Sequence, residues 1–359
     1  MRITSFMIFN QLASALQKNM EDFTKLNSQL ASGKRIEKPS DDVIGMMRSL
    51  DYRLSISTTE QYKRNIAEAT FHLKFTDDVL DSVADSLQEL KKLLSMGGNA
   101  QSQENRFFYA EQAAKWRDLL LGLSNTKLRE RYIFSGHQTN QKAFTYDSTA
   151  YRYNYNGDLG EINVLLDTEA TLPLNITGSK AFSFAMNGPL PTELSDGTPI
   201  NYTQSTDPLT GITTTTVEIG SAGDPEYDTF TFSNLLDMTN VLSFAFEYKD
   251  VDGSDLNADP AIQEEMAMHR LMALSVPFAD ASNQITNIQA EIGTKQVHLN
   301  DQKTRIDSSA LNLTNALSET EDADIDTTLT EILKTDTALQ ALRESASRIL
   351  SQSLMDFLK

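Results

Sequence analysis

The side chains that could do chemistry in this 359-residue chain are four histidines and many carboxylates, and it has no cysteine. Histidines and carboxylates bind metals or move protons when their spacing brings several of them together. None of the histidines belongs to a His-Glu-x-x-His motif or to another spacing of metal ligands. They are His72, His137, His269 and His298. We therefore expect solvated or packed histidines, not ligands.

The carboxylates are equally unpromising as a reactive site. Asp41-Asp42 and Asp77-Asp78 are adjacent pairs, and neighbours on a helix point in different directions, so neither pair predicts a catalytic dyad. The acidic run 250–255 is similar to a calcium loop, but its glycine is misplaced and no glutamate closes it. The run predicts an acidic turn.

Motifs for nucleotide binding and acyl transfer are missing from the sequence. It contains no P-loop, dinucleotide fingerprint or Gly-x-Ser-x-Gly. The missing cysteines exclude a disulfide scaffold and thiolate metal sites. The sequence thus predicts a protein that is not an enzyme, with no catalytic residue, cofactor or metal.

The net charge of the chain excludes some classes of binding partner. The chain has 31 Lys and Arg against 50 Asp and Glu, a net charge of −19, which argues against nucleic acid or an anionic lipid surface as the main partner. No apolar run approaches the length of a membrane span, and no signal-peptide core is evident. We expect a soluble chain that, if exported, carries no cleaved apolar signal.

Both ends of the chain have the periodicity of helices that pack along a heptad seam. The N-terminal stripe comprises Phe9, Leu12, Leu16, Phe23, Leu26 and Leu30, and the C-terminal stripe Leu339, Leu342, Ile349, Leu350, Leu354 and Phe357. Further seams run from Tyr62 to Leu94 and, every seven residues, from Phe278 to Leu313. Between the first two helices, Gly33 predicts a C-terminal cap, and Ser40 predicts the N-cap of the next helix.

Residues 141–260 have a different composition, with 4 basic and 18 acidic side chains and most of the proline. Asn156-Gly157 predicts a hairpin turn between strands at 151–155 and 161–166. Further strands are expected at 213–219 and 229–232, and a single helix near Leu235–Phe246.

These patterns predict an α+β fold, in which the N- and C-terminal flanks form an elongated α-helical coiled-coil bundle around an inserted β-rich domain. The expected domains are an N-terminal core arm (1–40) pairing with a C-terminal core arm (321–359), a helical rod (41–140 completed by 261–320), and an inserted, outward-facing β-rich domain (141–260).

The two arms carry opposite net charges, since residues 1–40 hold 6 basic and 3 acidic side chains and residues 321–359 hold 4 and 8. Ordering an isolated arm costs about 1–2 kcal/mol per residue in backbone entropy, which its stripe offsets only when a partner covers it. Two arrangements follow: arms that pair with each other and with neighbouring subunits, loose in the monomer, or a closed intramolecular bundle. Periodicity leaves both open.

The N-terminal flank carries sequence motifs that indicate a protein family, which periodicity alone does not. Residues 26–36 read Leu-Asn-Ser-Gln-Leu-Ala-Ser-Gly-Lys-Arg-Ile, and 38–42 read Lys-Pro-Ser-Asp-Asp. Together with Gln-Tyr-Lys-Arg-Asn-Ile at 61–66 and Tyr-Ile-Phe-Ser-Gly at 132–136, they resemble the bacterial flagellin superfamily. Within it, the chain is most similar to the branch of hook–filament junction proteins, although Val43-Ile44-Gly45 departs from that branch.

This resemblance implies an extracellular structural subunit of the bacterial flagellum, exported through the flagellar type III apparatus without a cleaved signal. It implies self-assembly in a ring between the first hook-associated protein and flagellin, and a cytoplasmic export chaperone on the C-terminal arm. Nucleic acid and membrane are not expected partners. The loop residues that it marks for inter-subunit contact are Gly33, Lys34, Arg35, Pro39, Ser40, Asp41 and Asp42.

Two other functions stay open at this level. The first alternative is a subunit of the flagellin filament. The short middle segment and the Lys-Pro-Ser-Asp-Asp loop both argue against it. A coiled-coil adaptor or signalling module is more distant, because such proteins carry a membrane span or an output domain that this sequence lacks.

Limited proteolysis separates the two arrangements of the arms. If the arms are loose in the monomer, mild protease should first remove residues near 1–35 and 330–359, because unpaired helices expose their backbone. Mass spectrometry of the fragments checks this. Full protection of both ends in a verified monomer would favour the closed bundle.

Overall fold

The computed structural model describes residues 5–97, 103–186, 190–208 and 210–357. The helices are α1 Ser5–Ser32, α2 Val43–Gly97, α3 Gln103–Ser124, α4 Gly178–Phe182, α5 Leu235–Phe246, α6 Pro260–Glu321 and α7 Ile325–Phe357. The strands are β1 Lys127–Leu128, β2 Arg131–Tyr132, β3 Phe144–Asp147, β4 Arg152–Tyr155, β5 Asn163–Leu165, β6 Thr171–Pro173, β7 Ile200–Thr206, β8 Thr213–Ile219 and β9 Asp228–Phe232. The α+β class predicted from the sequence, with long helices at both ends, is confirmed.

The chain divides into two compact units. The first comprises Met1–Gln61 and Thr304–Lys359, and the second comprises Tyr62–Lys303. Both α2 and α6 contribute residues to each unit.

In the first unit, α1 packs against α7. The pair is antiparallel: the amide of Ala323, just before α7, donates to the carbonyl of Gly33, just after α1 (2.9 Å), while Ala346 lies beside Leu12 and Leu16 at the other end. Leu339 is buried, whereas the described α1 stripe residues are only half-buried. The pair therefore leaves part of its apolar surface uncovered.

In the second unit, α2 and α6 supply the helical part of the core. The predicted seams are buried over most of their length: Ile66, Ala69, Leu73, Leu80, Val83, Leu87 and Leu90 on α2, and Phe278, Ile285, Ile292 and Leu299 on α6. The Gln289 amide donates to the Asp81 carboxylate across the two helices (2.5 Å). Heptad spacing thus identified the core-facing side of both helices.

The strands form one three-stranded and three two-stranded antiparallel sheets, among the described residues. β8 is the central strand of the larger sheet, between β7 and β9, and alternate residues of β8 are buried. Its bounds match the predicted strand, and α5 matches the predicted helix. Period-two and compositional signals sufficed here because both elements are short and strongly patterned.

The predicted hairpin at Asn156-Gly157 is wrong. β4 pairs with the preceding strand, β3, and β5 pairs with β6. Instead of turning, Asn156 continues the β3–β4 ladder, since its amide donates to the Ala143 carbonyl (2.8 Å) and its side chain to the Thr145 hydroxyl (2.9 Å). A side chain at Gly157 would collide with Tyr155, so close packing explains this glycine.

A proline inside α6 leaves a backbone carbonyl without its usual donor. Pro277 has no N–H, so the carbonyl of Ala273, four residues earlier, lacks its helical hydrogen bond. The Tyr202 hydroxyl on β7 donates to that carbonyl at 2.8 Å, in a buried setting. Burial also raises the pKa of Tyr202, which keeps the hydroxyl protonated. The Tyr202 side chain of the sheet thus supplies the hydrogen bond that the helix backbone lacks at Ala273.

Tyr202→Phe should lower the free energy of unfolding by about 1–3 kcal/mol, because it leaves a buried carbonyl unsatisfied. Pro277→Ala restores the missing N–H, so Tyr202→Phe should cost about 1 kcal/mol less in the Pro277→Ala background. Urea denaturation of the four proteins, followed by the fluorescence of Trp116 in the same unit, measures this coupling. If the effects of the two substitutions on the free energy of unfolding were additive, the Tyr202 hydroxyl would not compensate for the N–H that Pro277 lacks.

Candidate functional site

The loop that links α1 to α2 begins with a backbone conformation that favours glycine. Gly33 has φ of +72°, and its amide donates to the Gln29 carbonyl (2.8 Å), which closes the last turn of α1. Beyond its neighbours in the chain, no atom lies within 4 Å of the position that a Cβ would take at Gly33, so conformation and not space requires glycine here. The predicted C-terminal cap is present.

Beyond Gly33, the loop contacts the end of α6 through the backbone. The Arg35 amide donates to the Glu321 carbonyl (2.7 Å), and Lys34 forms an antiparallel bridge with Asp322. The Ala323 amide donates in the opposite sense, to the Gly33 carbonyl. Each of the segments 33–36 and 321–323 therefore donates a backbone hydrogen bond to the other. We call these two segments, with Arg53, the clasp.

The clasp is centred on the Glu321 carboxylate. Only 5% of this side chain is exposed, and Oε1 lies 2.5 Å from both the Lys34 Nζ and the Arg53 Nη2. Burial acts to raise the pKa of Glu321, but the hydrogen bonds from Lys34 and Arg53 outweigh it and hold the pKa below its usual value. Glu321 is therefore ionised at neutral pH and balances two cations.

A second charged group closes the other end of the loop. Asp41 accepts the backbone amides of Lys38 (3.0 Å) and Glu37 (3.3 Å) and lies 3.1 Å from the Lys25 Nζ of α1. The Lys38 amide makes the largest contribution to lowering the pKa of Asp41, followed by the bond from Lys25. Asp41 thus fixes the loop conformation and ties it to α1.

The predicted N-cap at Ser40 is wrong. α2 begins at Val43, and Asp42 caps it, since its Oδ1 accepts the Gly45 amide at 2.9 Å. A carboxylate at this position also interacts favourably with the positive end of the helix. The other Asp42 oxygen lies 3.7 Å from the Arg35 Nη1, while Pro39 and Ser40 are exposed.

The structure brings most of the predicted loop residues together but adds two that the sequence reasoning missed, Glu321 and Arg53. The acidic run that begins at Glu321 faces the basic Lys34-Arg35 pair, so charge complementarity between the arms was a usable signal for Glu321. Arg53 lies three helical turns beyond Asp42, and no local motif marks it.

The predicted arm stripes are described in part. Leu339 is buried, and the half-buried members are Leu12, Leu16, Phe23, Leu26, Leu30 and Leu342. The side chains of Phe9, Ile349, Leu350, Leu354 and Phe357 lie outside the described part of the chain. The clasp is thus the better defined part of the candidate site.

Residues suited to reactive chemistry are scattered through the described ranges. The buried His269 lies 2.9 Å from Asp196, and Asp250 of the acidic turn pairs with the buried Arg270 (3.0 Å). Over these ranges, no group of three or more His, Asp or Glu side chains is arranged to hold a metal ion. No helix in the described part is both long and apolar enough to cross a membrane.

The sequence of this chain is similar to those of known flagellar proteins. Residues 3–139 match the bacterial flagellin N-terminal helical region. The flagellar hook-associated protein 3 of Escherichia coli is 24% identical over the whole of both chains. That of Salmonella typhimurium is 26% identical over 53% of this chain and 60% of its own length. The predicted resemblance to the flagellin superfamily, and to its hook-associated branch, is confirmed.

Solved structures share the fold at lower identity. A putative flagellar hook-associated protein from Vibrio parahaemolyticus has a TM-score of 0.55 at 18% identity, covering 79% of this chain and all of its own. The hook-associated protein 3 of Legionella pneumophila has a TM-score of 0.56 at 16% identity, covering 75% and 97%. At these identities the likeness concerns the fold.

The clasp can be tested with one substitution. Glu321→Gln removes the charge shared by Lys34 and Arg53, and about 1–3 kcal/mol of local stability should be lost with the charge-assisted bonds. Hydrogen exchange of the Arg35 and Ala323 amides should accelerate by about tenfold or more. Glu319→Gln, an exposed change on the same helix, is the matched control.

The pH dependence of that difference has a definite sign. Because the folded-state pKa of Glu321 lies below its usual value of 4.5, its stabilisation is complete above that value and is lost as pH falls through the folded pKa. The wild type and Glu321→Gln should therefore converge in acid, after correction for intrinsic exchange. Equal protection of the two proteins at neutral pH would contradict the assignment.

Proposed function

We propose that this protein, with its flagellin N-terminal region and its hook-associated relatives, is a structural subunit of the bacterial flagellum that joins the hook-associated ring to the flagellin filament. The single observation that carries the proposal is the similarity over the full length of both chains to a flagellar hook-associated protein 3. Legionella pneumophila has a protein of the same fold that is named a flagellar junction protein.

The physical features of the first unit fit a subunit built for association. α1 and α7 leave a continuous stripe of apolar side chains half-covered, and such a stripe is typical of a surface that packs against a partner. The clasp holds the ends of the two arms at a defined register through charge and backbone bonds. Such a unit presents a preformed surface to its neighbours and reserves its remaining apolar area for them.

In this proposal the loop residues Gly33–Asp42 lie at contacts between subunits, and the arms 1–40 and 321–359 line the inner core of an axial assembly. The rod is formed by 41–140 and 261–320. The acidic segment 141–260 faces the medium, where most of its 18 carboxylates remain hydrated, Asp228 and Asp237 being buried. The neighbours along the axis are the first hook-associated protein on one side and flagellin on the other.

We further propose that the chain is exported through the flagellar type III apparatus without a cleaved signal and acts outside the cell. Before export, the C-terminal arm needs a cover for its stripe, because exposed leucines promote aggregation. A cytoplasmic chaperone that binds the stripe from Leu339 to Phe357 would supply it. The stripe is apolar and helical, so the chaperone should offer a hydrophobic groove.

Deleting the gene in its source bacterium should leave hooks in place while flagellin accumulates unpolymerised in the medium, because the filament lacks its adaptor. Electron microscopy of the cells and immunoblots of the medium measure this. A plasmid copy of the wild-type gene, as control, should restore filaments.

Normal filaments in the deletion strain would contradict the junction role. Loss of the flagellin band itself, with the hooks intact, would instead indicate a filament subunit.

A further inference from the structure

Three methionines lie within two turns of α6 in the second unit, and each sulfur accepts a hydrogen bond from a side chain outside that helix. They are Met266, Met268 and Met272. The bonds run from Asn257 Nδ2 to Met266 Sδ (3.8 Å), from Arg106 Nη2 to Met268 Sδ (3.2 Å) and from Ser195 Oγ to Met272 Sδ (3.5 Å). The three thioethers thus differ in the donor that each one meets.

The three thioethers also differ in their access to solvent. The pair of Ser195 and Met272 is exposed, whereas the bonds to Met266 and Met268 are partly buried. Met272 and Ser195 line an open pocket of about 610 Å³, together with apolar residues such as Leu271. Because a water molecule occupies about 30 Å³, this pocket admits small solutes to the Met272 side chain.

The Ser195 hydroxyl belongs to a short turn, residues 194–198, that contacts α6 through two side chains. Ser195 donates to the Met272 sulfur. The next residue, Asp196, has its Oδ2 2.9 Å from Nε2 of the buried His269. His269 and Met272 are three residues apart on α6 and therefore lie on one side of the helix. We call residues 194–198 the strap.

A solvent-accessible thioether reacts with peroxides. A sulfur lone pair attacks one oxygen of hydrogen peroxide, so that an S–O bond forms and the O–O bond breaks. The proton on the transferred oxygen passes to the departing hydroxide and gives water, while the sulfur loses two electrons that the peroxide gains. In a packed core the polar sulfoxide disrupts its surroundings. At Met272, the pocket has room for the added oxygen, and the Ser195 hydroxyl is already directed at the sulfur.

The other two methionines of this stretch are protected from the same reaction. Met266 is 5% exposed, so peroxide has little access to its sulfur. Met268 is half-buried, and its sulfur binds the guanidinium of Arg106. A cation that holds a sulfur lone pair withdraws electron density from it and makes it a poorer nucleophile. Reactivity should therefore concentrate at Met272.

We propose that Met272 is an oxidation site, at which a peroxide converts the thioether to a sulfoxide that the strap binds more tightly through Ser195. A thioether sulfur is a weak acceptor, whereas a sulfoxide oxygen carries a partial negative charge and accepts a hydroxyl strongly. The modification fastens the strap to α6 and leaves the packing of the second unit intact. The site is independent of the proposed role in the flagellum.

Timed exposure of the folded, full-length protein to hydrogen peroxide, followed by peptide mapping with mass spectrometry, measures the oxidation rate of each methionine. Met272 should oxidise about tenfold faster than Met266 and at least about threefold faster than Met268, because oxidation follows access to the sulfur. Met47 and Met96, which are 63% and 44% exposed, supply the rate of an accessible thioether. Equal rates at Met272 and Met266 would overturn the proposal.

Hydrogen exchange of the Leu194 amide measures the effect on the strap, because this amide donates to the Thr198 carbonyl (2.7 Å) and closes the turn. After oxidation it should exchange about threefold more slowly or better in the wild type. Met272→Leu, treated in the same way, should show no change, which accounts for oxidation of the other methionines. Ser195→Ala should be oxidised but lose the slowing. Ser275→Ala, which removes another exposed hydroxyl of the pocket, should keep it.

Treatment of the oxidised wild type with methionine sulfoxide reductases A and B should reverse the slowing, because these enzymes restore the thioether. Faster exchange of the Leu194 amide after oxidation, or a slowing that persists in Ser195→Ala, would overturn the proposal. Each variant is compared with itself before and after oxidation, and far-ultraviolet circular dichroism verifies that it is folded.

Discussion

The first unit depends on one desolvated carboxylate. Glu321 is nearly buried, and an ionised group in that position is tolerated only because Lys34 and Arg53 both reach its Oε1. Lys34 and Arg53 come from the loop and from α2, while Glu321 ends α6, so a single charge balance holds three segments that are distant in sequence. The hydrogen bonds between the loop backbone and 321–323 complete the arrangement and set the register of α1 against α7. Without the charge balance, the alignment of the arms would rest on these backbone hydrogen bonds and on the half-covered stripes alone.

The helices and strands with a regular apolar pattern could be predicted from the sequence. Heptad spacing identified the buried sides of α2 and α6 because their seams are long and uninterrupted, as Leu73, Leu80 and Leu87 illustrate. Strand β8 and helix α5 could also be predicted, because the composition of each segment and the turn-forming residues that flank it indicate the same element. The motifs around Gly33 and Pro39 also indicated the superfamily, which no physical argument from periodicity supplies.

What escaped prediction depends on contacts between residues far apart in the chain. Asp42 displaces Ser40 as cap because the loop makes an extra turn, in which Asp41 binds the amides of Glu37 and Lys38. The partner of β4 could not be read from Asn156-Gly157, whose turn preference is overridden when Asn156 extends the β3–β4 ladder. Arg53 enters the clasp through the geometry of α2, which no local spacing encodes.

The bond between Tyr202 and Ala273 has a consequence for how this chain can vary. A helix with an internal proline is complete here only when a strand 71 residues earlier supplies a donor, so the inserted segment and the C-terminal flank cannot change independently. A lineage that shortened the insert and lost β7 would also have to replace Pro277 or find another hydroxyl. The sheet is therefore a constraint on the evolution of the helical flank, even though the two have quite different compositions.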